Sequence, residues 1–399
     1  MLLAARYLTF ASVVSVMFSI AISQILLGLA IAALLFSEAR LRLPPIWLPL
    51  GLFVLGTLVS LAVSNHPELN NPQVRKIFVF FQLLVVFSTL RNFGILRRLY
   101  FCLFGAGALV ALRALVQFRE KVGQARAAGQ NFYEYYVTER ITGTMSHWMT
   151  FGGQEMFILL MVGAYLFFAS SVRRREFWLV GLSGAVIAVA LLLGFTRTIW
   201  GASAVAGLYL LWVWKRPVAL LAPLALLVVI LVAPVSVRTR AASMIKPKKG
   251  IDSNEFRYVC RRIGYEMIRA HPWFGVGPQQ VERRYNSFVP ADVPRPLPEG
   301  WYSHLHNLYI HYAAERGIPT MLALLWLLAK VLFDFARGIR KLPPGRSDRK
   351  FLLHGGIAVV IATMAAGLFE LNLGDSEVLT LFLAIVASGY VTLEASEVA

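Results

Sequence analysis

What most limits the fold of this chain is a succession of apolar runs, each closed by polar or basic residues. A run of about 17–20 such residues spans the bilayer core as a helix, which satisfies its own backbone hydrogen bonds. Such runs fall near 4–21, 23–37, 46–64, 76–90, 99–117, 151–170, 177–194, 198–214, 218–234, 318–336, 352–371 and 377–394, the first two sharing one stretch. Only 15% of residues are charged, where a soluble domain carries roughly 25%. The expectation is an all-α polytopic integral membrane protein with about 12 transmembrane helices. The first run has no small-residue cleavage site and reads as an uncleaved anchor.

The formal net charge is +18. The basic residues cluster between apolar runs, a pattern of membrane topology and anionic lipid rather than nucleic acid. With the N-terminus inside, the inner loops hold Arg40 and Arg42; Arg91, Arg97 and Arg98; Arg173 to Arg175; Lys215 and Arg216; and six further Lys/Arg from Arg337 to Lys350. The short outer connections 65–73 and 372–376 hold none. Both termini are therefore expected in the cytoplasm. The chain divides into 1–234, with nine spans and an outer loop at about 118–150; a large outer loop over 235–317; and 318–399, with three more spans. Cys102 and Cys260 fall on opposite faces, too far apart to pair.

Ionisable residues in the spans collect at the outer ends: Arg75, Lys76, Arg113, Glu155, Arg197, Glu370, Asp375 and Glu377, with Lys330 the exception. A pump or channel strings such groups through the midplane; this chain points instead to a site at the outer membrane surface. The inner ends show loop arginines and hardly any acids. Asp375 and Glu377, the only close acidic pair on the outer face, read as a turn between spans.

Three stretches carry candidate chemistry. FTRTIW (195–200) holds Arg197 at a tight outer turn, where a guanidinium fork suits a phosphate. Residues 252–271 read as an amphipathic helix with Asp252 and Glu255 at capping-box spacing. Its apolar stripe is Phe256, Val259, Cys260, Ile263, Met267 and Ile268, and it sets Arg257 and Arg261 on one face, a like-charge pair that an anion would relieve. The large loop also carries twelve Lys/Arg between Arg238 and Arg295, among them Lys248, consistent with a phosphate-bearing partner or with lipid headgroups. WYSHLHNLYIHYAAERG (301–317) concentrates His304, His306, His311, Asn307 and Glu315. A helix from Leu305 would stack His304, Leu308, His311 and Glu315 on one face, and Gly317 with Pro319 would end it.

FTRTIW, FRYVCRRIGYEMIRAHPWFGVGP and HLHNLYIHYAAERGIP, in this order, resemble the O-antigen ligase and polymerase superfamily of bacterial envelope enzymes. The matching positions are Arg197, Arg257 with Pro272, and His306–Asn307 with Glu315 and Gly317. The likeness covers residues 140–335 well and the rest by topology; Thr320 stands where a second glycine often follows. The resemblance implies a GT-C-type glycosyltransferase of the bacterial inner membrane with its site facing the periplasm. Such an enzyme moves glycan from an undecaprenyl-diphosphate carrier to an acceptor hydroxyl, for a ligase that of lipid A–core. His306 would be the base, Arg197 and Arg257 would stabilise the leaving diphosphate, and Arg261, His304, Asn307, Trp200, Glu315 and Lys248 would bind substrate. No DxD-type acidic pair lies near these motifs, so neither metal nor cofactor is expected, and the reaction is expected to invert. A polymerase on the same carrier is the close alternative, a protein-glycosylating relative ranks third, and a lipid or solute transporter is the competitor from another class.

Overall fold

Helix formation starts where a side chain can answer the free N–H groups of a first turn. Ser19 accepts from Ile22 N, Asn92 from Gly94 N, Asn131 from Tyr133 N and Ser347 from Lys350 N. The computed structural model describes residues 1–37, 41–64, 76–170, 172–246 and 254–394, and the described residues form helices and turns without a strand. In chain order the helices are α1 (Leu2–Ser15), α2 (Ile20–Leu35), α3 (Trp47–Val63), α4 (Phe81–Thr89, after a 3-10 turn at Lys76–Phe80), α5 (Phe93–Ala127), α6 (Phe132–Thr138), α7 (Trp148–Phe168), α8 (Arg174–Leu193), α9 (Arg197–Trp214) and α10 (Arg216–Val232). There follow α11 (Val235–Ala242), α12 (Asn254–Ala270), α13 (Gln280–Arg284), α14 (Leu308–Arg316), α15 (Ile318–Arg340), α16 (Asp348–Gly367) and α17 (Ser376–Glu394).

Among the described residues, six helices, α5, α7, α8, α15, α16 and α17, are long and apolar enough to cross a membrane. Shorter apolar helices occupy the expected runs at 4–21, 23–37, 46–64, 76–90 and 218–234. The first of these runs is cut short: α1 stops at Ser15 and the Ser19 cap restarts the chain as α2. The expected boundary at 117 also moves. α5 continues to Ala127, because FREKVGQARA is polar yet rich in good helix formers, and apolarity marks the membrane rather than the helix.

α7, α16 and α17 are the most enclosed of the long helices. Phe335 of α15 sits in a notch where a side chain at Gly356 or Gly389 would collide with its ring, the close approach that small residues allow between membrane helices. Thr320 lies against Gly56 of α3, so the departure from a glycine at that position is absorbed by a glycine on the neighbouring helix.

The end of the bundle away from the motifs is richer in acids than the sequence reading held. Arg97 pairs with Glu176 at 2.8 Å and with Asp348 at 3.4 Å, and Arg91 and Arg42 reach Glu394 at 2.7 and 3.4 Å. The arginines there are thus partly neutralised by carboxylates that close loop ends. Lys330 does not stand alone in its span: Asp334, one turn on, accepts from it at 2.9 Å and from the Tyr390 hydroxyl at 2.8 Å. Glu155, expected at a span end, is fully buried in the second turn of α7, with neither oxygen hydrogen-bonded among the described residues.

Candidate active site

The tight turn before α9 is held by its carbonyls. Tyr136 donates to Leu193 O at 2.7 Å, Arg240 to Phe195 O at 2.9 Å, and the Trp200 indole to Leu191 O at 2.8 Å. Phe195 takes a left-handed backbone, φ 49°. Arg197 follows at the first position of α9; its guanidinium donates to Ser243 O at 2.7 Å and to Asn254 Oδ1 at 2.8 Å, stitching the turn to α11 and α12.

α12 buries Phe256, Val259, Cys260, Ile263 and Met267 against the loop and leaves Arg257 and Arg261 on the other side, as its periodicity predicts. Arg257 donates to Phe369 O at 2.9 Å and forms an ion pair with Glu370.

The histidine segment differs from the sequence reading in one respect. The helix begins at Leu308, not Leu305, because Asn307 turns back to accept from Tyr309 N at 3.0 Å and Ile310 N at 2.9 Å, making it the N-cap. His304 and His306 therefore precede the helix, and His304 does not share the face of His311 and Glu315. His306 takes a left-handed φ of 47°, its ring 4.0 Å from that of His304 and 4.9 Å from Phe256. Its Nδ1 lies 3.2 Å from Glu370 Oε2 and its Nε2 3.3 Å from Trp301 O. Among the described residues, the three non-glycine positions with left-handed backbone are Phe195, Gln279 and His306. Gln279 and His306 line the larger cavity described next, and Phe195 immediately precedes Thr196, which does too. Such conformations cost about 1–3 kcal/mol each and persist where surrounding structure imposes them.

Two cavities meet here. The larger, about 780 Å³, is bordered by four arginines, Arg140, Arg197, Arg240 and Arg257, and by Glu370, Leu371, Asn372, Gly374 and Asp375. The smaller, about 430 Å³, runs between Gly201, Ala202 and Val205 of α9 and Ala365, Leu368 and Phe369 at the end of α16, with Arg261 at its edge. Arg197, Thr198, Arg257 and His306 line both.

Burial alone would push the Glu370 carboxyl up. Arg257 first, and then the hydrogen bond and charge of His306, outweigh that and hold it at about 2. Glu315 is likewise held at about 2: burial is outweighed by His311, then by Arg316 and the Gln279 N–H. Burial, with His306 beside it, drives His304 down to about 3, so its imidazole is neutral at physiological pH. Burial and then the nearby Arg240 and Arg257 lower Arg140 to about 9, a crowding of guanidiniums that an anion would relieve.

Both carboxyls are depressed relative to the unfolded chain, so each stabilises the fold above the ordinary value of 4.5 and loses that contribution as pH falls through about 2. The thermal midpoint in detergent is expected to hold from pH 7 to about 4.5 and to fall progressively towards pH 2. Glu370→Gln should flatten part of that slope; an unchanged slope would show that the carboxylate is not held by these partners.

His304, His306 and Glu370 each offer an atom within 4.8 Å of the others, a geometry that could hold a metal ion. The surroundings do not fit a divalent cation. Both Glu370 oxygens are engaged, one by Arg257 and one by His306, and the guanidiniums bordering the cavity repel a second positive centre.

Of the residues singled out from sequence, Arg197, Arg257 and His306 come together, with His304 and Glu315 lining the larger cavity and Arg261 the smaller. Glu315 is committed to structure: it accepts from Gln279 N at 2.6 Å and from Arg316 Nε at 3.2 Å. Asn307 caps α14 and donates to Leu368 O at 2.9 Å. Trp200 is not among the described residues lining either cavity. Lys248 and Asp252 lie outside the described residues. Glu370 and Arg140 carry no sequence signal as site residues: neither sits in a motif, and only the fold brings them to the cavity that His306 and Arg257 line.

An all-helical membrane protein with arginines and a histidine–carboxylate pair at one end of its bundle is the class these features define. Within it, residues 182–325 match the family model described as O-antigen ligase, a segment that takes in Arg197, Arg257, His306 and Glu315. That match supports the superfamily drawn from the motifs. No curated protein matches the chain.

Proposed function

We propose that the protein is an O-antigen ligase of the bacterial inner membrane, with twelve spans in a GT-C arrangement, both termini cytoplasmic and the two cavities opening to the periplasm. The observation that carries this reading is the wall common to both cavities, Arg197, Thr198, Arg257 and His306. A two-substrate transfer needs its base and its leaving-group clamp between the substrates, and here one set of residues borders both spaces.

In this reading the smaller cavity takes the polyprenyl-diphosphate donor, its apolar flank against α9 and the end of α16, its diphosphate against Arg197, Arg257 and Arg261. The acceptor occupies the larger cavity. Glu370 accepts only, so His306 Nδ1 donates to it, and Nε2 is the ring nitrogen left to act as base in this reading. Nε2 takes the acceptor hydroxyl proton as the oxygen attacks the anomeric carbon. The anomeric C–O bond breaks, and its electron pair goes to the diphosphate oxygen, where guanidiniums meet the developing charge. The new Nε2–H can donate to Trp301 O. Attack opposite the leaving group inverts the anomeric centre. Polymerisation on the same carrier shares every one of these steps and remains the second reading, since the matched segment serves both.

The test is a reconstituted reaction of purified protein with a polyprenyl-diphosphate glycan and lipid A–core, run with and without EDTA. The expected result is glycan on lipid A–core at an unchanged rate in EDTA. Longer chains on the carrier with the core untouched would mean a polymerase; loss of activity in EDTA restored by a divalent cation would restore a metal to the histidine–carboxylate cluster.

A further inference from the structure

The connection between α16 and α17, which looks like a plain turn in the sequence, has two working ends. Glu370 holds Arg257 and His306. Two and five residues on, Asn372 and Asp375 line the same larger cavity, as does Lys76.

Asn372 is 4% exposed, yet it lines the cavity. Its Oδ1 accepts from Leu373 N at 3.1 Å, while its Nδ2 has no hydrogen-bond partner among the described residues. A buried amide N–H₂ left this way is costly unless a ligand supplies the acceptor. Beside it, Asp375 Oδ2 accepts from Thr150 Oγ1 at 2.9 Å, which leaves Oδ1 to accept from elsewhere. The Lys76 ammonium donates to Gly374 O, fixing the 3-10 turn that carries Asn372 and ends at Asp375. One fixed donor and one fixed acceptor on a rigid turn match the alternating donor and acceptor capacity of neighbouring sugar hydroxyls.

Resting on the reading given under Proposed function, we infer that Asn372 and Asp375 form the subsite that binds hydroxyls of the acceptor sugar, holding it for attack from the His306 side. The covalent connection is short, so the residue that orients the base and those that orient the acceptor move as one piece. The donor glycan also carries hydroxyls, but its carrier lies in the other cavity in this reading, and the kinetics separate the two substrates.

The experiment uses the full-length protein in lipid nanodiscs, varying lipid A–core at saturating polyprenyl-diphosphate glycan and then the reverse. Asn372→Leu keeps the side-chain volume and removes the amide; Asp375→Asn keeps the contact with Thr150 and removes the charge. Each is expected to raise KM for lipid A–core by about five- to tenfold, the loss of one uncharged or singly charged contact, with KM for the donor unchanged. Should Asn372→Leu fail to accumulate, Asn372→Asp, which retains an acceptor for Leu373 N, takes its place with the same expectation. An unchanged acceptor KM in folded variants, or a rise confined to the donor, would overturn the subsite. Absence of any transfer to lipid A–core by the unaltered protein would instead remove the underlying ligase reading.

Discussion

Alanine in place of His306 is expected to slow glycan transfer by about 10²- to 10⁴-fold, the usual contribution of a positioned general base, while the protein accumulates normally. The size of the effect follows from the geometry. In the proposed reading Glu370 takes the Nδ1–H and leaves Nε2 to act, while Phe256 and His304 pack against the ring. His304→Ala should cost far less. Its imidazole is already neutral, and its Nδ1 does no more than accept from His306 N at 3.4 Å. Single-turnover transfer with both substrates saturating separates the two variants; equal losses would make the histidines a unit and remove the special role of His306.

The second large effect is expected at Arg257, and it should be double. Without the guanidinium, Glu370 is a buried carboxylate stripped of its charge partner, a loss worth about 3–5 kcal/mol of stability. Transfer should fall about 10- to 150-fold as well, if the guanidinium contributes 1.5–3 kcal/mol to the departing diphosphate. Arg257→Ala combined with Glu370→Ala resolves the two. Removing both charges should restore most of the thermal midpoint but none of the transfer rate. Recovery of activity along with stability would reduce Arg257 to a scaffold residue. Arg257→Lys tests the fork itself, since an ammonium cannot reach Phe369 O and Glu370 in the two-point fashion of a guanidinium.

The sequence disclosed what depends on local pattern. Apolar run length marks the helices, the stripe from Phe256 to Met267 marks the buried face of α12, and Gly317 marks the break between α14 and α15. It was less informative where a cap competes with a helix, as at Asn307, and where helix propensity outlasts apolarity, as beyond residue 117 in α5. The site divides the same way. Arg197, Arg257 and His306 stand in motifs. Glu370 looks like any acid at the end of a span, because its importance lies in contacts with Arg257 and His306 that are far away along the chain. Asn372 is silent for another reason: an unpartnered amide is a property of burial, which a turn sequence does not show.

The HPWFGVGP turn is fastened backbone to backbone onto the end of α14. Val276 N donates to Ala314 O at 2.8 Å, Gly277 N to Glu315 O at 2.9 Å and Ile318 N to Pro272 O at 2.8 Å. A methyl group at Gly275 would strike the Glu315 backbone, and one at Gly317 the Trp273 carbonyl. This seam has an evolutionary corollary. Within the bracketed chain, the loop ahead of Trp301 can lengthen, shorten or change its surface without disturbing the register of Arg257 against His306, which the seam and the start of α14 fix. A single residue added at either edge would shift one half of the site against the other. The seam thus separates what such an enzyme can vary from what it must keep in step.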